Sequence, residues 1–316
     1  TPRRRGLLAP RWALSLDGIV NANKPPGLTS FDVVARLRRW SHERRVGHAG
    51  TLDPLASGVL PVCVGQATRV VEFMLDGRKG YRADIELGTT TDSYDAEGVI
   101  VRTQDPSLVT IDRVEAALPA FRGSIMQSPP PFSAVKHRGQ RLYKLARAGI
   151  ITQLPPRPVE VYDLAVTGWR PPVVTLEVEC GQGTYIRSIA HDLGRALGCG
   201  AHLKDLVRVR YGPFRLEDAL PLPRIEAAFL EGREDELLHP LDSVLAGWGS
   251  VTLDEDGEQR VTRGLSLQLS QDPGDHPGEY LRAYAPDGRF LAVLRSQDEN
   301  GLWLPKKVFS LRGKEG

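Results

Sequence analysis

Asp53 is the residue best placed by its neighbours to do chemistry. It sits in the run Gly47-His48-Ala49-Gly50-Thr51-Leu52-Asp53-Pro54-Leu55-Ala56-Ser57-Gly58. The small residues before it let the backbone approach a ligand closely. An aspartate is ionised at neutral pH, so it can attack without the general base that serine or threonine requires. Asp-Pro also signals a helix start, with Asp at the N-cap and Pro at the first helical position. The expectation is a short helix over Pro54–Val59 whose N-terminus holds the carboxylate as an anion. Arg44 and Arg45 lie just upstream. His48, in the same loop, can position a ligand or transfer a proton, and the residues alone leave both roles open.

No other constellation competes. The histidines lack H-x-x-x-H spacing, and there is neither a Walker loop nor a G-x-G-x-x-G run. Cys63, Cys180 and Cys199 show no C-x-x-C spacing and are odd in number, so they read as reduced structural thiols of a cytoplasmic protein. No metal and no cofactor is expected. No apolar run approaches the roughly 20 residues of a membrane span. Thr1–Pro10 is basic but is not followed by the apolar core and cleavage site of a signal peptide, so residues 1–15 read as a basic arm.

Charge is segregated behind a net value of only +2. Residues 1–50 carry ten Lys/Arg against three Asp/Glu, and residues 121–150 carry six Lys/Arg and no acid. Residues 217–258 carry twelve acids against two arginines. That polarity predicts a basic face suited to a polyanion and an acidic face turned away from it.

The elements that must hold Asp53 follow from periodicity. Residues 18–22 read as a strand closed by the turn Lys24-Pro25-Pro26-Gly27. Thr29 or Ser30 caps a helix to Trp40, with Val33, Val34, Leu37 and Trp40 on one face and Arg36, Arg38 and Arg39 outside. Residues 44–60 read as a glycine-rich loop. Residues 81–87 and 173–180 alternate as half-buried strands. Residues 111–118 read as a helix, and Thr184 caps another that Gly198 stops. The proline-rich, basic stretch from Ser128 to Pro158 reads as an excursion from the core. After about residue 250, short strands with an Asp287-Gly288 hairpin turn suggest a small appended β-rich domain.

Taken together, these motifs resemble those of the bacterial tRNA pseudouridine-55 synthases. Asn23-Lys24-Pro25-Pro26-Gly27 resembles the family's first motif, and Gly47 to Leu60 its catalytic one. Lys79-Gly80-Tyr81-Arg82 with Gly88-Thr89-Thr90-Thr91-Asp92-Ser93-Tyr94-Asp95-Ala96-Glu97-Gly98 is similar to the next. Gln127 to Lys136 with Leu142-Tyr143 resembles an inserted RNA-contacting segment. Gly183-Thr184-Tyr185-Ile186-Arg187-Ser188 and Gly200-Ala201-His202-Leu203 to Arg208 complete the set. Ala49, Asn23 and Phe132 depart from the family's usual Thr, Asp and Tyr.

The resemblance implies that Asp53 is the catalytic nucleophile and that Tyr81 stacks on the target uracil. Tyr185 and Leu206 line the pocket, and His48 lies in the substrate site. Arg187 pairs with Asp53, with Asp95 and Lys24 in support. Lys136, Arg138, Arg141, Lys144 and Arg147 are expected to contact RNA. The implied reaction breaks N1–C1′ of a uridine and forms C5–C1′, on a base flipped out of its stack. Whether Asp53 attacks C1′, attacks C6 or first removes a 2′ proton stays open. The implied fold is α+β: a pseudouridine-synthase core with a bent, mixed, mostly antiparallel sheet flanked by helices, and a small C-terminal PUA-like β-barrel. The domain layout read from the sequence is residues 1–15 as the arm, 16–250 catalytic with an insertion at about 121–158, and 251–312 the PUA-like domain. The partner is the T-arm of tRNA, and the protein is expected to act as a monomer with no obligate protein partner. The alternatives are a guide-RNA-dependent synthase subunit and a tRNA-folding chaperone.

Overall fold

The computed structural model describes residues 16–74, 77–137, 139–150, 152, 154–269, 279–297 and 301–310. The basic arm 1–15, Arg138 and the side chain of Arg147 lie outside the described residues. The first half of the chain forms β1 (Gly18–Lys24), α1 (Ser30–Ser41), β2 (Val46–His48), β3 (Ser57–Val64), α2 (Val71–Met74), β4 (Lys79–Leu87), β5 (Thr89–Thr91), β6 (Ile100–Thr103), α3 (Ile111–Ala117) and β7 (Gly123–Gln127). The excursion holds β8 (Lys136–His137), β9 (Gln140–Arg141) and α4 (Leu142–Arg147). Then come β10 (Arg157–Arg170), β11 (Val173–Cys180), α5 (Ile186–Leu197), β12 (Ala201–Tyr211), β13 (Phe214–Arg215), β14 (Leu220–Pro221), α6 (Leu222–Glu231) and β15 (Leu238–His239). The C-terminal part holds β16 (Ser250–Thr252), α7 (Glu255–Thr262), β17 (Leu267–Gln268), β18 (Tyr280–Tyr284), β19 (Phe290–Ser296) and β20 (Leu302–Val308).

The large sheet runs β14-β1-β3-β12-β4-β11-β10-β7, and it is antiparallel except where β1 meets β14 and β3 meets β12. Its interior strand β3 is apolar along nearly its whole length because both faces are covered. Leu60, Val62 and Val64 face the core shared with α1 and α5, while Val59 and Cys63 face the opposite way. That double burial corrects two expectations. Residues 44–60 are not one loop, since β2 and the start of β3 lie within them. No helix follows Asp53 either: residues 51–56 are irregular and the chain enters β3.

The amphipathic elements form where their periodicity places them. Thr29 caps α1 in a full capping box with Asp32. Val33, Val34 and Leu37 are buried, while Arg36, Arg38 and Arg39 are exposed. β4 buries Tyr81, Ala83, Ile85 and Leu87, together with Lys79 at its start, and turns Arg82, Asp84 and Glu86 outward.

The first part of the acidic stretch belongs to the large sheet, and its end, at β16 and α7, to the C-terminal part. β14 and β15 both pair with β1, and Glu226 on α6 accepts a 2.8 Å hydrogen bond from the Trp40 indole. The C-terminal strands form a curled sheet in the order β16-β18-β19-β20-β17, with the Asp287-Gly288 turn joining β18 to β19. Among the described residues its outer strands do not pair, so it is open where a closed barrel was expected. It is also less separate than an appended domain. Phe290, Val293 and Phe309 share one core with Ile19, Val59, Cys63 and Tyr211 on the back of the large sheet. Burial pushes the Cys63 thiol up to about 12 and the Cys180 thiol up to about 11, which makes both inert structural groups.

Candidate active site

The Asp53 loop has no regular hydrogen bonding, so it must be tied by its flanks. Ser30, buried at the start of α1, exchanges two hydrogen bonds with Leu52, donating from Oγ to the carbonyl (3.0 Å) and accepting from the N–H (2.8 Å). Gly27 N–H donates to the Pro54 carbonyl at 2.9 Å. Lys24 is fully buried, and its Nζ donates to the carbonyls of Leu28 (2.6 Å), Pro25 (2.9 Å) and Pro54 (3.3 Å). Burial lowers the Lys24 ammonium to about 8 against the opposing pull of Asp53, which leaves it mostly charged at pH 7. At the exit of the loop Gly58 has φ +101°, and a Cβ there would lie 2.3 Å from the Arg208 carbonyl, so β3 and β12 can run together only with glycine at this position.

Arg187 organises the acidic groups. It is buried in the first turn of α5, and its Nε stands 2.9 Å from Asp53 Oδ2. The N–H is not aligned on that oxygen, so the contact is an ion pair rather than a straight hydrogen bond. Its Nη1 donates to Asp95 Oδ2 at 3.2 Å and to the Ser93 carbonyl at 3.2 Å. Its Nη2 donates to the Phe132 carbonyl at 3.0 Å. One guanidinium thus joins the nucleophile candidate, the buried Asp95 and the root of the basic excursion. Asp95 is held in turn by the Ser93 hydroxyl (2.5 Å) and the Glu97 N–H (3.1 Å).

The start of α5 is held differently from the expectation. Thr184 does not cap it. The N-cap residue is Tyr185, without a side-chain cap. The buried Gln127 side chain, at the end of β7, accepts from the Tyr185 N–H (2.7 Å) and donates to its carbonyl (3.1 Å). Ser188 Oγ donates to the Ser128 carbonyl at 2.9 Å. These bonds set Tyr185, half-buried, beside Arg187.

Tyr81 and Leu206 come from neighbouring strands. β4 and β12 pair Tyr81 with Arg208 and Ala83 with Leu206, which puts all four side chains on one face. Burial raises the Tyr81 phenol, so the ring is neutral at pH 7. His48 is half-buried at the end of β2, with Nδ1 buried and unpartnered. Burial, and then the charge of Arg208, holds its imidazole below the usual range, so it is neutral at pH 7.

Lys136, Arg141 and Lys144 are exposed on the excursion. They sit on β8, β9 and α4, and α4 is anchored by the buried Leu142 and Ala146. β7 pairs with β10 as the edge of the large sheet, so the segment that leaves the sheet begins at Ser128. The roles of Ser30, Gln127 and Arg208 in holding the site differ from a helix cap or a place in a motif, which is all their local sequence shows. Each acts through burial and a distant partner, which a local pattern does not report.

The site therefore offers one partly exposed carboxylate, 36% accessible at its side chain, on a loop fixed by buried cations. A tyrosine, a leucine and a neutral imidazole stand nearby. That arrangement can bind a planar neutral ring and bring an anionic nucleophile to it.

The comparisons with known proteins agree with this chemistry. Residues 38–186 match the TruB family pseudouridylate synthase N-terminal domain, and residues 187–246 match the tRNA pseudouridylate synthase B C-terminal domain. The chain is 49% identical to tRNA pseudouridine synthase B of Dehalococcoides mccartyi over 93% of its own length and 97% of that protein. It is 46% identical to tRNA pseudouridine synthase B of Gloeobacter violaceus over 88% of its length and 94% of that protein. Among solved structures, an H/ACA RNP bound to a substrate RNA containing 2′-deoxyuridine aligns with TM-score 0.71 and 27% identity, covering 93% of this chain and 86% of that one. The large mixed sheet with its helices is the pseudouridine-synthase fold, and this chain belongs to the TruB family of pseudouridylate synthases.

Proposed function

We propose that the protein isomerises a uridine in the T-loop of tRNA, at position 55, to pseudouridine, acting without a guide RNA. The observation that carries this reading is the Asp53 carboxylate at 2.9 Å from the buried Arg187, with Tyr81 and Leu206 on one face of the paired strands β4 and β12. The N1–C1′ bond breaks, the detached uracil turns, C5–C1′ forms, the C5 proton leaves to solvent, and N1 takes up a proton from solvent in its place. Every atom but that exchanged proton stays in the product. The base must first leave its stack, at a cost of a few kcal/mol. Stacking on Tyr81 returns about 1–3 kcal/mol. Arg187 pairs with the Asp53 carboxylate and orients it once the base has excluded water. The neutral His48 positions the flipped nucleotide rather than supplying a proton. The curled C-terminal sheet serves as a shortened PUA-type RNA-binding module.

The test is tritium release from an unmodified tRNA transcript labelled at uridine C5, with the pure protein and no other component. One equivalent of tritium per tRNA is expected, from position 55. A wild-type protein that releases none from any tRNA would sink the reading, and release only with an added guide RNA would move it to the guide-dependent class.

Guide independence is supported by the excursion, whose root at Phe132 is bonded to Arg187. RNA held along Lys136, Arg141 and Lys144 is thereby coupled to the catalytic guanidinium. Replacing all three with alanine is expected to weaken tRNA binding and to lower the slope of log K against log salt by about 2–3, since each neutralised phosphate contributes roughly 0.7–0.9. The single-turnover rate at saturating tRNA should stay close to wild type. An unchanged salt slope, measured by filter binding, would remove these residues from the RNA interface.

A further inference from the structure

Arg208 heads the fully buried side chains when they are ranked by size, at 0% exposure. Among the described residues it forms no ion pair with any carboxylate. A charge taken out of water costs several kcal/mol unless its donors are satisfied. A position that only had to fill the core would take methionine or leucine at less cost.

What satisfies Arg208 is the backbone around Asp53. Its Nε donates to the Val59 carbonyl at 2.7 Å, its Nη2 to Gly50 at 3.2 Å and its Nη1 to Thr51 at 3.5 Å. These carbonyls lie on both sides of Asp53 in the chain. On the other side lies Tyr81. The two residues are register partners between β12 and β4, so their side chains are neighbours on one face, and the Arg208 charge bears on the Tyr81 phenol. Guanidinium only donates, so in a bond between the two the phenolic oxygen is the acceptor. The pairing slips on either side of Leu206–Arg208, between Leu203 and Asp205 and again between Arg208 and Arg210. Such bulges re-aim side chains. Below, the Tyr211 ring supports the guanidinium at 5.1 Å and would be 3.1 Å from a Cβ at Gly50, which closes the space into which the loop could relax.

We propose that Arg208 is a positioning residue: a single guanidinium ties the Asp53 loop to the Tyr81 phenol and thereby sets the gap between carboxylate and ring in which the uracil is held. It touches neither base nor sugar. The inference rests on the uridine-isomerase reading above and adds the element that fixes its geometry.

The experiment measures single-turnover tritium release at saturating tRNA, together with tRNA affinity, for wild type, Arg208→Lys, Arg208→Met, Tyr81→Phe and the Arg208→Lys/Tyr81→Phe double variant. Lysine keeps the charge but cannot bridge both flanks. Its rate constant is expected to fall by about 100-fold, the loss that a misplacement near 1 Å produces, with tRNA Kd changed less than about threefold. Arg208→Met should be slower still, with lysine restoring part of the difference. In the Tyr81→Phe background, which has lost the acceptor, the lysine penalty should shrink to less than about tenfold, because the two residues act as a unit. A purely structural role would lower the amplitude of release, meaning the active fraction, and leave the rate constant alone. The proposal is overturned if Arg208→Lys keeps its rate constant, if its loss lies only in amplitude or Kd, or if the penalty is unchanged without the Tyr81 hydroxyl. Wild-type protein that releases no tritium in the same assay overturns the function itself.

Discussion

Asp53→Asn is expected to release no measurable tritium, a loss of at least about 10³–10⁴-fold, the scale seen when a nucleophilic group is removed. Asparagine has the same shape and the loop is held by its carbonyls and flanks, at Leu52, Pro54, Gly50 and Thr51, not by the Asp53 side chain. The backbone path should therefore survive. The side chain is 36% exposed, so folding stability should move by no more than about 1 kcal/mol. Most tRNA affinity should also remain, since phosphate contacts and base stacking do not involve this carboxylate. The combination is diagnostic: a folded protein that binds tRNA within about threefold of wild type and does no chemistry. Residual release at even a few per cent of the wild-type rate would mean that another group makes the first bond.

Arg187→Met is the second large effect, and it should appear in stability as well as in rate. The arginine is 4% exposed and is shared by Asp53, Asp95, the Ser93 carbonyl and the Phe132 carbonyl. Methionine fills much of the volume but leaves Asp95, itself 4% exposed, without its cation. Removing one partner of a buried pair costs roughly 3–5 kcal/mol. Urea denaturation at pH 7 should show that loss, while the Asp53→Asn variant should not. Tritium release should be abolished, and the basic excursion, cut from its Phe132 tie, should become more susceptible to protease. Should Arg187→Met unfold within about 1 kcal/mol of wild type, the guanidinium is not the junction the geometry indicates.

The same two residues show how much of the site could be read before the fold was known. The Asp53 motif is contiguous, so its residue types and order were visible. Its local conformation was not. Asp-Pro predicts a helix start from short-range preference, but Val59–Val64 is buried on both faces and belongs to the interior strand β3. An apolar run covered on both sides has no period of 2 or 3.6 to betray it. What holds the carboxylate is therefore a salt bridge and a carbonyl-anchored loop, not a helix dipole. In the same way Thr184 had the right type to cap α5, yet Gln127, 58 residues before Tyr185 along the chain, makes the bonds to that residue. The amphipathic elements α1, β4 and β11 were legible because each pairs a covered face with a wet one, and alternation records that directly.

By itself the sequence determined the chemistry on offer: an aspartate in a small-residue loop, a strand tyrosine, an arginine opening a helix, and a basic excursion free of acids. Those are local properties of residue type and spacing. Only the tertiary structure decided which distant groups meet. It put Arg187 between Asp53 and Asp95, sank Lys24 and Arg208 beneath the loop, and set the C-terminal sheet against the back of β3. The physical reason is that burial and long-range hydrogen bonding are properties of the packed chain. A lysine or arginine in a sequence looks like a solvated charge until the fold removes its water and leaves backbone carbonyls as its partners.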